Sequence, residues 1–216
     1  MTQPPVPEPV DVQPLPPGEF TRWYGGWDPL TPETIGDFMA GFDRPWWIVG
    51  GWSIQVVTGV RREHEDMDIS MLSSDAEPFR RFLGERWTVW NVDDSWFRPF
   101  DERFREIRPD SQLWIRRDAR SPWVLDVPLT PDTGGRWTNK RWREHVLPLD
   151  DVTWVAPDGL RYQRPEVTLM FKAAQVRPKD VADAEAALPL LDAAARRWLR
   201  DTVALFHPGH RWQDLL

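Results

Sequence analysis

Three carboxylates and a glycine pair are the residues here whose types and spacing could do chemistry. His64-Glu65-Asp66-Met67-Asp68 sets two aspartates two positions apart. On an extended strand such side chains face the same way, about 7 Å apart. They could hold one Mg²⁺ between them, or two metal ions about 3.5–4 Å apart. Mg²⁺ commonly takes one or two carboxylates together with substrate phosphates. Asp126 stands inside the apolar run Trp123-Val124-Leu125-Asp126-Val127. A carboxylate in a buried strand is costly unless paired or metal-bound, and a third acid could take the proton from an attacking hydroxyl. Gly50-Gly51 separates an apolar run from a helical stretch. Glycines there let backbone N–H groups approach a phosphate at a helix N-terminus; an ordinary tight strand-to-helix turn is the alternative. Each signal alone is weak, and in this order they form one coherent site.

The elements that must position these groups follow from pattern. Trp46–Val49 is an apolar run suited to a buried strand, and a short helix follows the glycines to Gly59. Residues 66–71 alternate polar and apolar side chains, the period of a half-buried strand. Thr31-Pro32-Glu33 opens a helix to about Gly41. Ser74-Asp75-Ala76-Glu77 reads as a capping box that starts a helix to about Gly84. Further strands are expected at 86–91, 112–117 and 122–128. The charged stretch 93–110, with its aromatic interruptions, reads as an excursion or an irregular strand pair. Pro165-Glu166 opens a helix that reaches Lys172. Asp180 is placed to cap a second helix closed by Pro189, and a third runs from about Asp192 to Phe206. The expected fold is α/β (α+β): a small mixed sheet flanked by helices, with a helical C-terminal part.

Residues 1–18 hold seven prolines and read as an extended arm outside the fold. The core then spans 19–160 and the C-terminal helical part 161–216. A net charge of −7 disfavours general nucleic-acid binding. The absence of cysteine excludes disulfides and thiolate metal sites. No apolar stretch approaches ~18 residues and no secretory signal is seen, so a cytoplasmic protein is expected. Fifteen tryptophans against two tyrosines are unusual; they are expected mainly in the core and on sheet faces, the remainder in a ligand cleft.

The stretches 48–70, 123–129 and 158–192 resemble the nucleotidyltransferase superfamily that includes DNA polymerase beta. They are most similar to its antibiotic-modifying branch, the lincosamide nucleotidyltransferases and aminoglycoside-2''-adenylyltransferases. The resemblance covers roughly 33–216, leaving out the arm. It implies a nucleotidyltransferase core whose nucleotide cleft is closed by the C-terminal helices. It further implies a Mg²⁺-dependent adenylyltransferase that moves AMP from ATP to a hydroxyl of a small molecule, such as an aminoglycoside- or lincosamide-like antibiotic. Gly50, Gly51 and Ser53 would hold the β- and γ-phosphates, and Arg62 and Lys172 would reach the triphosphate. Asp66 and Asp68 would bind Mg²⁺, with Asp126 as third ligand or as base. A homodimer is possible by the same resemblance.

Other polar residues have blander roles to weigh. Lys179, Asp180 and Asp183 match a recurrent pair in the family, and an ion pair locking two helices is at least as good a reading. Glu166 suits a helix cap, His64 a loop support, and His207 and His210 the end of the last helix. The acids Asp93, Asp94, Asp101 and Glu102 could attract ammonium groups, although a solvated charged face explains them too. Two alternatives compete with the small-molecule enzyme: a toxin-type nucleotidyltransferase acting on tRNA or protein, and an inactive binding module. The mixed basic and aromatic segment 136–143 is what sustains the tRNA alternative.

Overall fold

A computed structural model describes residues 17–93 and 96–212. Most of the proline-rich arm, Asp94 and the last four positions lie outside these described residues. Pro17 and Gly18, expected in the arm, instead open the first helix, α1 (Pro17–Tyr24). Proline suits a first helical position because its missing N–H has no intrahelical acceptor there.

The chain continues through α2 (Pro32–Phe38), strand β1 (Trp46–Ile48), α3 (Gly50–Thr58) and β2 (Ile69–Met71). After α4 (Ala76–Leu83) come β3 (Thr88–Val92), β4 (Phe97–Pro99), β5 (Gln112–Arg116) and β6 (Trp123–Pro128). A small ribbon of β7 (Asp132–Thr133), β8 (Arg136–Thr138) and β9 (Val146–Leu147) follows. Next are α5 (Leu149–Val152), β10 (Thr153–Val155) and β11 (Arg161–Gln163). Three helices end the described chain: α6 (Pro165–Lys172), α7 (Pro178–Ala187) and α8 (Ala193–Phe206).

Two four-stranded sheets form, in the orders β10-β11-β1-β2 and β4-β3-β5-β6. They meet where β2 runs parallel to β6. The Asp126 N–H donates to the Met67 carbonyl at 3.0 Å and the Thr130 N–H to that of Met71 at 2.9 Å. That seam brings Asp68 and Asp126 opposite one another in a parallel bridge. Strand β11, numbered with the C-terminal part in the sequence reading, pairs parallel to β1 inside the sheet. The helical part starts only at Pro165, where a missing N–H ends the strand pairing.

Two apolar clusters hold the molecule together. One face of the sheet packs Ile48, Ile69, Leu113, Ile115, Leu125 and Val127 against α2 and α4. The opposite side of β1 carries Trp47, which packs with Val167, Met170, Leu199 and Val203 of α6 and α8. Each such fully buried side chain contributes roughly 1.5–3 kcal/mol. Asp192 caps α8 as its position suggests, accepting from the N–H groups of Ala194 and Ala195 at 2.8 Å. The capping box read at Ser74 does not form: Asp75 precedes α4 in a helical conformation and makes no side-chain cap. Asp180 sits in the third position of α7 rather than at its cap, which is Arg177.

Most tryptophans take core and sheet positions, while Trp23 and Trp142 stand exposed. Trp47, Trp123, Trp137 and Trp212 are fully buried. Trp90 and Trp114 line the sheet face that carries Asp126, edge-on to Phe97 and Trp123 and covered by Phe20 of α1. The excursion after β4 is irregular, and its acids are internally engaged. Asp101 accepts the N–H groups of Arg103 and Phe104. Glu102 pairs with Arg80 and Arg105, and Asp93 with Arg108. Asp93 and Glu102 thus face arginines, while Asp101 closes a turn on backbone N–H groups. No helix among the described residues is long and apolar enough to cross a membrane.

Candidate active site

Gly50 begins α3 with φ +66°, left-handed backbone that suits glycine. No side chain caps this helix, so its first N–H groups are left to other acceptors. A Cβ on Gly50 would lie 2.6 Å from Asp68 Oδ2. On Gly51 it would strike the Arg62 guanidinium and come within 2.9 Å of His64. The two glycines thus let an acid and a cation pack directly over the helix start. Gly50→Ala should therefore cost turnover at least about tenfold while melting only a few degrees lower, because it strains the turn and displaces Asp68. Paired rate and thermal-unfolding measurements check this, and an unchanged rate would contradict it.

The strand-to-strand seam explains the acids. Asp68 and Asp126 come from neighbouring parallel positions, and Asp66 lies just before β2. Burial, followed by the like charge of Asp66, pushes the Asp68 carboxyl up to about 7. Burial, then Asp68 and Asp66, raises Asp126 well above the usual carboxylate range. Asp126 accepts from Gln112 Nε2 at 3.3 Å through Oδ2, while its buried Oδ1 makes no bond of good geometry, the Trp114 indole opposite being its nearest donor. An orphaned oxygen in a crowded set of acids is what a divalent cation would satisfy. Among the described residues no three acids or histidines close on a metal by themselves. That is compatible with Mg²⁺, which keeps waters and substrate oxygens in its shell.

Of the three acids, Asp68 borders a cleft of about 240 Å³ that Gly50, Gln112, Lys140, Lys172 and Arg177 also help to line. Lys172 reaches this cleft from the end of α6, but its ammonium is held by Asp180 at 3.0 Å and Asp183 at 2.9 Å. Arg62 grips Asp183 through Nε at 3.1 Å and Nη2 at 3.2 Å. Arg177 grips Asp180 through Nε at 2.8 Å and Nη2 at 3.2 Å. Burial by itself would raise Asp180; the hydrogen bonds from Arg177 and Lys172 outweigh it and bring the carboxyl to about 2. The ion-pair reading of Asp180 and Asp183 is the one the geometry displays, while Lys179 reaches Glu65 at 3.0 Å. Arg62 and Lys172 are thus anchored cations, not free ones.

Ser53 is placed differently from its expected role. It is fully buried, and its hydroxyl donates to the Gly50 carbonyl at 2.9 Å and meets Thr168 Oγ1 at 2.8 Å. It ties α3 to α6, with its hydroxyl engaged within the protein. His64 stacks on Trp52 with ring centroids 3.7 Å apart and meets Gln55 Oε1 at 3.0 Å. Burial, with Arg62 adding to it, lowers the imidazole to about 4, so it stays neutral and supports the loop. Trp52 Nε1 donates to the Asp66 carbonyl at 3.2 Å, fixing the approach to β2.

Sequence reasoning missed Gln112, Lys140 and Arg177. Gln112 is directly opposite Pro128 across β5 and β6, a pairing that only the register reveals. Lys140 arrives from the β8–β9 turn, where a basic residue beside aromatics gave an ambiguous signal. Arg177 follows Val176, a β-branched residue at φ +50°. Such backbone is costly for valine, and no local pattern announces it.

A family model described as aminoglycoside-2''-adenylyltransferase matches residues 33–114. That stretch contains the glycine pair, Asp66 and Asp68, and ends before Asp126 and Lys172. No curated protein matches the sequence significantly. The solution structure of the antibiotic-resistance factor ANT(2'')-Ia is similar, with a TM-score of 0.51 and 17% identity over 82% of this chain and 94% of that one. The lincomycin-bound crystal structure of the lincosamide antibiotic adenylyltransferase LnuA also gives 0.51, at 19% identity over 74% and 97%. The matched stretch is similar to the aminoglycoside-2''-adenylyltransferase family, and the fold is similar to that of the solved antibiotic adenylyltransferases.

Proposed function

We propose that this protein is a Mg²⁺-dependent adenylyltransferase that transfers AMP from ATP to a hydroxyl of a small molecule of antibiotic-like size. The observation that carries this reading is the Asp68–Asp126 seam, whose Asp68 borders a cleft between an uncapped helix start and the α6 lysine. Asp66 and Asp68 would hold the metal, which lowers the charge building on the phosphoryl oxygens. The N–H groups at Gly50 and Gly51 would receive phosphate oxygens. Lys172 and Arg177, fixed by Asp180, present positive charge where pyrophosphate leaves. Asp126, with one oxygen held by Gln112, would act as third metal ligand or take the acceptor's proton. Positioning supplies much of the remaining acceleration.

Folding of the 136–143 segment weakens the tRNA alternative. Trp137 and Asn139 are buried and Lys140 turns into the cleft, so the basic residues form no continuous exposed stripe. The test is incubation with Mg-ATP and a panel of aminoglycosides, lincosamides and nucleosides, reading pyrophosphate release and an AMP-sized mass gain together. Mass gain on one compound is the expected result. Mg-ATP binding without turnover would move the acceptor outside the panel, towards a macromolecule. Absence of nucleotide binding by calorimetry would sink the enzyme reading in favour of a binding module.

A further inference from the structure

We propose that Lys140 binds the phosphoryl group being transferred, at the point where the nucleotide cleft opens into the acceptor hollow. This deepens, and rests on, the adenylyltransferase reading above. Beside the cleft lies a second hollow of about 340 Å³, bordered by Val92, Asp93, Arg108 and Asp110. Gln112 and Lys140 line both spaces. Gln112 is also the residue that holds Asp126, so the junction lies beside the third acid.

The other cations bordering the cleft and the hollow are already engaged, Arg141 donating through Nη2 to the Phe171 carbonyl at 3.2 Å. Lys172 and Arg177 are held by Asp180 and Asp183, and Arg108 by Asp93. Lys140 is half-buried, and the contact recorded for its ammonium is the Phe171 ring, 5.5 Å from the ring centre. Its surroundings are built rather than loose. Asn139, fully buried, donates its backbone N–H to the His145 carbonyl at 3.0 Å. Its side chain accepts the Arg141 N–H at 3.0 Å and reaches Met170 Sδ at 3.4 Å. Burial, then Arg141, lowers the lysine's pKa, while Asp126, Asp110 and Asp68 oppose that shift. Lys140 and Asp68 border the same cleft, so the ammonium and an acid of the seam share it.

Chemistry assigns that position a task. The phosphorus under attack must sit where nucleotide and acceptor meet. A bond forms from the acceptor oxygen to the α-phosphorus as the bond to the bridging oxygen breaks. Pyrophosphate leaves with that electron pair, and the hydroxyl proton passes to Asp126. Charge spreads over the equatorial oxygens at that moment, and a fixed, partly desolvated cation beside them stabilises it more than one in water would. The hollow beyond Lys140 pairs its acids with arginines, Asp93 with Arg108 and Asp110 with Arg143, so it suits a hydroxyl compound recognised without a concentration of ammonium groups.

Calorimetry with AMP and with inorganic pyrophosphate, each in the presence of Mg²⁺, separates this role from the others. Lys140→Met should weaken AMP binding about tenfold or more, the loss of one charge-assisted hydrogen bond, and leave pyrophosphate binding and the melting temperature unchanged. Lys140→Arg should restore most AMP affinity. Equal AMP affinity in wild type and Lys140→Met would overturn the assignment, as would parallel loss of both ligands. If the wild-type protein binds Mg-ATP, either of those results removes Lys140 alone. A wild-type protein that binds no nucleotide removes the adenylyltransferase reading with it.

Discussion

Asp68→Asn is expected to lower turnover by about a thousandfold or more without loosening the fold, because acids that share a metal act as a unit. The stability side of this prediction comes from crowding. Asp68, pushed up to about 7 by burial and then by Asp66, binds its proton more tightly in the folded chain than in the unfolded one. Without metal, stability therefore declines as pH rises from the ordinary carboxylate range towards 7. The asparagine variant, lacking that ionisation, should melt no lower than wild type at pH 8 in chelator. Added Mg²⁺ with ATP should raise the wild-type melting temperature and leave the variant's nearly unmoved. Retained turnover would remove Asp68 from the machinery. Turnover lost together with a large drop in melting temperature would assign it a structural role instead.

Asp180→Ala should have the largest effect on stability. The side chain is fully buried and bonded to Lys172 and to Arg177. Truncating it leaves Lys172 buried with only Asp183 as partner, and breaking a buried pair from one side costs about 3–5 kcal/mol. For a chain of this size that is a fall of about 10 °C in melting temperature. The pH dependence carries its own sign. Asp180 titrates near 2 in the fold because the hydrogen bonds outweigh burial. Its stabilisation is present above the unfolded carboxylate range and is lost as pH falls from there towards 2. Wild type and variant should accordingly converge in stability on acidification. Equal melting temperatures at pH 7 would show that the network is dispensable. A double-mutant cycle with Lys172→Met should recover part of the loss, since it removes the stranded charge.

These two residues also mark how far the sequence could be read. The Asp66–Asp68 pair, the glycine turn and Asp126 were legible because each depends on local chemistry. Alternation exposes a carboxylate in an apolar strand, and paired glycines stand out between an apolar run and a helical stretch. The C-terminal helices were legible from proline starts and the Asp192 cap. Their 3.6-residue pattern and their caps are properties of a few consecutive residues.

Pairing decided the rest. Whether Asp126 meets Asp68 depends on β6 lying parallel to β2, a long-range choice that no window of sequence contains. Ser53 reads as a phosphate contact from its place after the glycines, yet the packing of α3 on α6 buries it against Thr168. Arg62 and Lys172 read as free cations because their partners, Asp180 and Asp183, lie on another helix. Lys140 and Gln112 enter the site only when the β7–β9 ribbon and the β5–β6 register bring them there. The sequence by itself determined which groups carry charge and which segments are strand or helix. Tertiary structure decided which charges neutralise one another and which face the cleft, because Coulomb and desolvation energies depend on neighbours in space rather than in the chain.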